Sequence, residues 1–187
     1  IRFHSSRITI DLGAIGKGYA VDRAAAVLRS CGIECALINS GGSTFYAMGC
    51  PPGQPGWLVH LCDPSAQLDP RVLLNENSVS TSQQTPPSLL GLPSFGHIID
   101  AAAGEPLESA TAVSVVAESA TASDALSTAL LVMGPAKGRD LVKRLPNLAA
   151  LWISPEGLPQ TVTSGPEILM TTGARMSPEK AMGRNLD

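Results

Sequence analysis

Long apolar runs, an excess of basic residues and a cysteine pattern are all missing from this chain, and each gap closes off a class of function. No apolar stretch approaches the roughly 20 residues that a bilayer-spanning helix needs, and no charged start leads into a signal-type apolar segment. The 13 Lys and Arg are scattered among 16 Asp and Glu for a formal net charge of −3, so the clustered basic surface of a nucleic-acid binder is not there. Cys31, Cys35, Cys50 and Cys62 make no C-x-x-C pair and have no histidine at zinc-finger spacing. They read as isolated small core residues, although Cys31 and Cys35 flank a helix-to-strand turn that an oxidising compartment would allow to bridge. What is present is 187 residues with 44% hydrophobic content, enough for one good core or two small ones. We expect one domain of two lobes over residues 1–170 and a poorly ordered tail over 171–187.

The richest stretch runs from Asp11 to Asp22, DLGAIGKGYAVD. Before it, Ile8 and Ile10 alternate with Thr9 and Asp11 as in a strand; after it, Tyr19 to Leu28 are helix formers with no breaker until Gly32. Gly13, Gly16 and Gly18 let the backbone approach a ligand, the amides of a helix start point outward, and Lys17 adds a mobile positive charge. This is an anion cradle for a phosphate, or an ordinary strand-to-helix turn. Its spacing, G-x-x-G-x-G, matches neither the Walker loop nor the dinucleotide fingerprint.

Further along, the pattern predicts a helix to Ser30, a strand over Glu34 to Ile38, and a small polar connection Asn39-Ser40-Gly41-Gly42-Ser43 that is either a hairpin turn or a second ligand loop. Strands are expected over Thr44–Met48, Trp57–Cys62, Val72–Asn75 and Ser78–Ser82, with Asp63 to Arg71 a polar turn and Gln83 to Ser94 a long mobile loop. His97-Ile98-Ile99-Asp100 is a strand-like turn closed by Ala103 to Pro106. Ala112–Ala117 is an apolar strand; a helix from about Thr121 stops at Gly134-Pro135, and a second continues to about Lys143. Leu148–Ser154 and Gln160–Thr163 complete the strands.

Asp124 and Thr128 are four apart on one helix face, a carboxylate and a hydroxyl suited to a hard cation such as magnesium, or a first-turn aspartate serving the helix dipole beside an ordinary threonine. His97 near Asp100 is a proton carrier or a turn histidine.

Taken in order, these segments closely resemble the ApbE family of FAD:protein FMN transferases: the stretch Asp11 to Asp22, then Asn39-Ser40-Gly41-Gly42, Ser80-Thr81-Ser82, His97-Ile98-Ile99-Asp100 with Gly104, and Ala117 through Asp124 to Ala129 with Gly134. The resemblance runs from about Ile8 to Ser154. It implies an α+β fold of mainly antiparallel sheets with flanking helices, and a magnesium-dependent enzyme that moves FMN from FAD to a Thr or Ser hydroxyl of a partner flavoprotein, releasing AMP. Alternatives are an FAD pyrophosphatase and a non-catalytic FAD-binding module.

Carried over residue by residue, the resemblance assigns the Ala14 carbonyl, Asp124 and Thr128 to the metal. Gly13, Gly16, Lys17, Gly18, Asp22, Asn39, Ser40, Gly41, Gly42, Ser82, His97, Ile98 and Ile99 fall around the nucleotide. His97 and Asp124 become the catalytic pair, with His97 handling the acceptor proton. Two departures stand out. The family's early Met-Gly-Thr-type segment is absent, so an N-terminally shortened chain is expected, with any membrane anchor in the missing part; and Ala101 replaces the proline that usually follows Asp100. Members of the family it resembles are often exported, so the resemblance implies the bacterial envelope as the compartment, with the cytoplasm as the alternative.

Overall fold

A computed structural model of the chain describes residues 2, 4, 10–85 and 97–172. Outside that range fall Ile8 and Thr9 of the expected first strand, residues 86–94 of the expected loop, and residues 173–187 of the expected tail. Helix α1 (Gly16–Ser30) starts two residues earlier than the sequence suggests. The Leu12 carbonyl accepts the amides of both Ile15 (3.1 Å) and Gly16 (2.7 Å), which winds the glycine stretch into the helix start. It ends where Gly32, at φ 78°, lets Ile33 N–H reach the Leu28 carbonyl and its own N–H reach Arg29, both at 3.0 Å.

Strands β1 (Ala36–Ser40) and β2 (Thr44–Met48) form a hairpin. Its turn needs left-handed residues, supplied by Gly41 and Gly42, and Asn39 Oδ1 accepts the Gly42 N–H at 2.8 Å. Next come β3 (Trp57–His60), β4 (Leu68–Leu74) and β5 (Ser78–Gln83). The polar turn before β4 is shorter than expected, because the Asp63 carboxylate gathers the Ser65 N–H (3.0 Å), the Ser65 hydroxyl (2.6 Å) and the Leu68 N–H (2.7 Å), closing the turn within six residues. Arginine helps hold that carboxylate's neighbour in place: Asp69 pairs with Arg71 and with His60 Nδ1 (2.7 Å), and the Arg71 hydrogen bonds hold the Asp69 carboxyl below its ordinary range.

A miniature hairpin, β6 (Ile99–Asp100) and β7 (Glu105–Pro106), precedes β8 (Ala112–Ala117), which falls on its expected residues. The helical stretch α2 (Ala120–Val142) is two helices joined at Gly134, whose φ 71° and ψ 168° are not helical, with Pro135 next, so the two expected helices are both present and meet at the expected residues. Strands β9 (Ala149–Ile153), β10 (Pro159–Thr163) and β11 (Ile168–Thr172) close the fold. β11 was not legible in the sequence, and it runs two residues beyond the expected end of the domain at 170.

All ladders are antiparallel. The large sheet has the order β1-β2-β5-β8-β9-β10, and a smaller one has β11-β4-β3. The period of two along each strand of the large sheet sends alternate side chains into two cores. One face (Ala47, Val79, Val116, Leu151, Ile153) meets Val59, Val72, Leu74 and Ile168 of the small sheet. The other receives the helices: Val113, Val115, Ala150 and Trp152 pack on Leu130, Leu131 and Val142 of α2, while Tyr46 and Met48 pack on Val21 and Ala25 of α1. Among the described residues, no helix is long and apolar enough to cross a membrane. The four cysteines are unbridged, and the Cys35 thiol donates to the Cys50 carbonyl at 2.8 Å rather than pairing with Cys31.

Candidate active site

β5 carries serine at every second position, so Ser78, Ser80 and Ser82 all project toward α2, whose own Ser123, Asp124, Ser127 and Thr128 recur at helical spacing on the facing side. The result is a tier of hydroxyls where hydrocarbon would be usual. Ser78 Oγ pairs with Ser123 Oγ at 2.8 Å, and Ser82 Oγ lies 2.8 Å from Ser127 Oγ and 2.9 Å from Thr128 Oγ1. Between them, Ser80 Oγ donates to Asp124 Oδ1 at 3.4 Å and shares a 2.9 Å bond with Thr44.

Asp124 is the fifth residue of α2 and 1% exposed, so it does not serve the helix dipole from a first turn. A carboxylate buried this deeply is costly unless its oxygens are taken up. Here Oδ2 accepts the Gly18 N–H at 2.9 Å, and Oδ1 faces Lys17 Nζ at 3.1 Å. The approach of α1 is possible only because residue 18 has no side chain: a Cβ there would lie 2.1 Å from the Ala120 carbonyl oxygen and 2.8 Å from Asp124 Cβ. Gly18 is the third residue of α1, and its N–H is one of the first helical amides that find no partner within their own helix; it goes to Asp124. The Ala14 carbonyl, just ahead of the helix, accepts no backbone amide among the described residues.

These groups border a cleft of about 600 Å³ lined by, among others, Gly13, Ala14, Lys17, Ser82, His97 and Thr128. Ile98 and Ile99 of the expected set line it too. Asp11, Ser43 and Thr81, which lie in the marked segments but not among the expected site residues, also line it, as does Gln83. The segment carrying His97 is anchored by buried Gln84, whose side chain accepts the Ile98 N–H (2.7 Å) and donates to the Leu107 carbonyl (2.5 Å).

Other expected residues lie elsewhere. Asp22 does not line the cleft: its carboxylate accepts the N–H groups of Ala120 (2.8 Å) and Thr121 (2.9 Å) and the Thr121 hydroxyl, so one helix caps the next. Asn39, Ser40, Gly41 and Gly42 form the β1–β2 turn, and only its last residue, Ser43, reaches the cleft, where its carbonyl accepts the Thr81 N–H at 2.8 Å. Gly16 and Gly18 are absent from the lining; Gly18 is buried against α2. Asp124 itself sits behind the cleft wall.

No group of three or more His, Cys, Asp or Glu that would cage a metal occurs among the described residues. One carboxylate, a carbonyl just ahead of a helix and a hydroxyl are a donor set of hard oxygens, which suits magnesium sharing its shell with substrate phosphates.

Comparison with known proteins gives one consistent answer. The model of the ApbE family matches residues 1–152. The chain is 32% identical over 153 residues to the FAD:protein FMN transferase of Escherichia coli strain K12, covering 79% of this chain and 43% of that protein. It is 30% identical over 164 residues to the Rhodobacter capsulatus protein of the same name, covering 84% of this chain and 30% of that one. Among solved structures, the flavin transferase ApbE from Vibrio cholerae superposes with a TM-score of 0.68 at 26% identity, over 83% of this chain and 50% of that one. The apo flavinyl transferase ApbE of Pseudomonas stutzeri gives 0.66 at 30% identity, over 88% and 48%. The chain therefore spans half or less of the length of these relatives.

Proposed function

Because the chain belongs to the ApbE family, we propose that it contributes to a magnesium-dependent transfer of FMN from FAD to a Thr or Ser hydroxyl of a partner flavoprotein, with AMP leaving. The chain through the end of β11 acts in this reading as one domain. The observation that carries it is the amide of Gly18, which fixes the buried Asp124 next to a cleft where the Ala14 carbonyl and the Thr128 hydroxyl stand on the lining.

Ala14, Asp124 and Thr128 would hold magnesium, which supplies charge neutralisation of the pyrophosphate. The protein's own part is to position and to move a proton. Lys17, on a flexible stem in the cleft wall, adds positive charge toward the phosphates, and Gly13 keeps that wall low. His97, exposed at the cleft edge and steadied through Gln84 and Ile98, accepts the proton of the attacking hydroxyl as its oxygen bonds to the FMN phosphorus and the bond to AMP breaks. The Ser82 hydroxyl orients that of Thr128.

The test is AMP release from FAD, followed against magnesium concentration, with an acceptor peptide analysed by mass spectrometry. Asp124→Asn keeps the shape of the site and removes its charge; the activity is expected to fall by a factor on the order of 100 or more, as for loss of a group that fixes transition-state charge. A variant that titrates with magnesium as the parent does would move the metal elsewhere. FMN covalently on the peptide assigns transfer, whereas free FMN alone assigns hydrolysis.

A further inference from the structure

We infer that Lys17 is a resident counter-cation for Asp124, one that a divalent ion has to displace, so that metal entry and release of the lysine toward the cleft are the same event. The inference rests on the proposed metal role of Asp124 and adds a competitor to it.

Three observations carry it. First, the Asp124 side chain is 1% exposed and Lys17 Nζ lies 3.1 Å from its Oδ1, the oxygen not taken by the Gly18 amide. Besides the ammonium, that oxygen has only the long 3.4 Å contact from Ser80 Oγ among the bonds described, so its charge is answered chiefly by Lys17. Second, Lys17 lines the cleft and Asp124 does not, so an ion arriving from the cleft meets the ammonium before the carboxylate. Third, the Lys17 side chain is 43% exposed on a four-carbon stem, so it can swing out while the carboxylate stays fixed on α2.

An ammonium and a divalent cation cannot share Oδ1, since like charges at contact distance repel strongly where the surroundings are poorly solvated. The displaced lysine arrives at the cleft, where the phosphates of a nucleotide would receive it. Metal and anionic ligand therefore favour each other through the position of one side chain.

The measurement is calorimetric titration of magnesium alone, with no nucleotide, into the parent chain, Lys17→Met, Lys17→Arg and Asp124→Asn. Without its competitor, Lys17→Met should bind magnesium on the order of tenfold more tightly, the equilibrium equivalent of one lost charge-assisted hydrogen bond. Lys17→Arg, which holds a carboxylate with a two-pronged fork, should bind more weakly than the parent. Its metal-free melting temperature should stay near the parent's, whereas that of Lys17→Met should drop and recover on adding magnesium. Unchanged or weaker magnesium binding by Lys17→Met overturns the inference, and if that variant does not fold, unchanged binding by Lys17→Arg overturns it. Asp124→Asn separates the two ideas: if it binds magnesium as the parent does, the metal reading fails; if binding is lost there while the lysine variants match the parent, only the competition fails.

Discussion

Helix α2 meets the large sheet through two interfaces of opposite chemistry. Toward its far end, Leu130, Leu131 and Val142 press on Val113, Val115 and Trp152, and Gly138 is so close to the Trp152 ring that an added Cβ would lie 2.6 Å from Cζ2. Near its start, Ser123, Asp124, Ser127 and Thr128 face Ser78, Ser80 and Ser82, with oxygen against oxygen. The dry half derives its strength from apolar area and packing density, whose loss leaves a cavity. The hydroxyl half gains little net stability per bond, because water would satisfy the same groups, but it holds each oxygen in a defined direction. One helix thus anchors itself at one end and aims at the other.

The sharpest way to break this division is to damage the dry half and look for an effect at the site. Leu130→Ala removes a fully buried side chain and should cost about 2–5 kcal/mol in urea unfolding while leaving magnesium affinity at the parental value. A matching fall in affinity would show that the two halves are not separable. The next effect down reverses the pattern. Gly18→Ala forces a methyl against the Ala120 carbonyl and should cost about 1–3 kcal/mol, toward the upper end for a clash with backbone, and here magnesium binding should disappear with the Gly18–Asp124 bond. Retained binding in a folded Gly18→Ala protein would remove that amide from the account.

The smallest effect belongs to the hydroxyl pairs themselves. In a double-mutant cycle of Ser78→Ala and Ser123→Ala the coupling should be about 0.5–1.5 kcal/mol, as for one buried neutral hydrogen bond. Each single change is cushioned, since the surviving hydroxyl can give its one proton to a backbone carbonyl, that of Phe45 for Ser78 (2.7 Å) or that of Ala120 for Ser123 (3.1 Å). Coupling well above this range would mean that the tier behaves as a network rather than as separate pairs.

The same contrast explains what could be read from the sequence. The dry elements announce themselves: Ala112–Ala117 is uniformly buried and apolar but for Ser114, and the Gly134-Pro135 pair marks the kink of α2. The Asp11–Asp22 stretch, Ser82, His97–Ile99 and Thr128 were picked out as one site, and many of these residues do border one cleft. Asp22 and the Asn39–Gly42 turn were picked with them, yet the hydrogen bonds of Asp22 and Asn39 go to backbone amides at element ends, a use that depends on which helix or turn lies opposite. Ser80 and Gln84 were missed as partners because each bonds to a residue far along the chain, at a separation with no periodic trace. A signal did exist for the tier: serine every second residue in a strand and again at positions 123 and 127 of a helix is a matched pair of polar faces. β4 and β11 were obscured for another reason, since Pro70 sits inside a paired strand and the edge strand that completes the sheet alternates too briefly to register.

The Gln84 carboxamide has a dynamic consequence. Among the described residues, strands β6 and β7 pair only with each other, and the ladder of the large sheet does not extend to the segment that carries His97. Its described ties there are the two bonds of Gln84 and the bond from Leu107 N–H to the Ile98 carbonyl (2.8 Å). Such a hairpin is a separate cooperative unit, with an opening free energy set by a few hydrogen bonds and the burial of Ile98 rather than by the global stability of the protein. The amides on the histidine side of the cleft are therefore expected to exchange with solvent ahead of those on the aspartate side, which is fixed on α2.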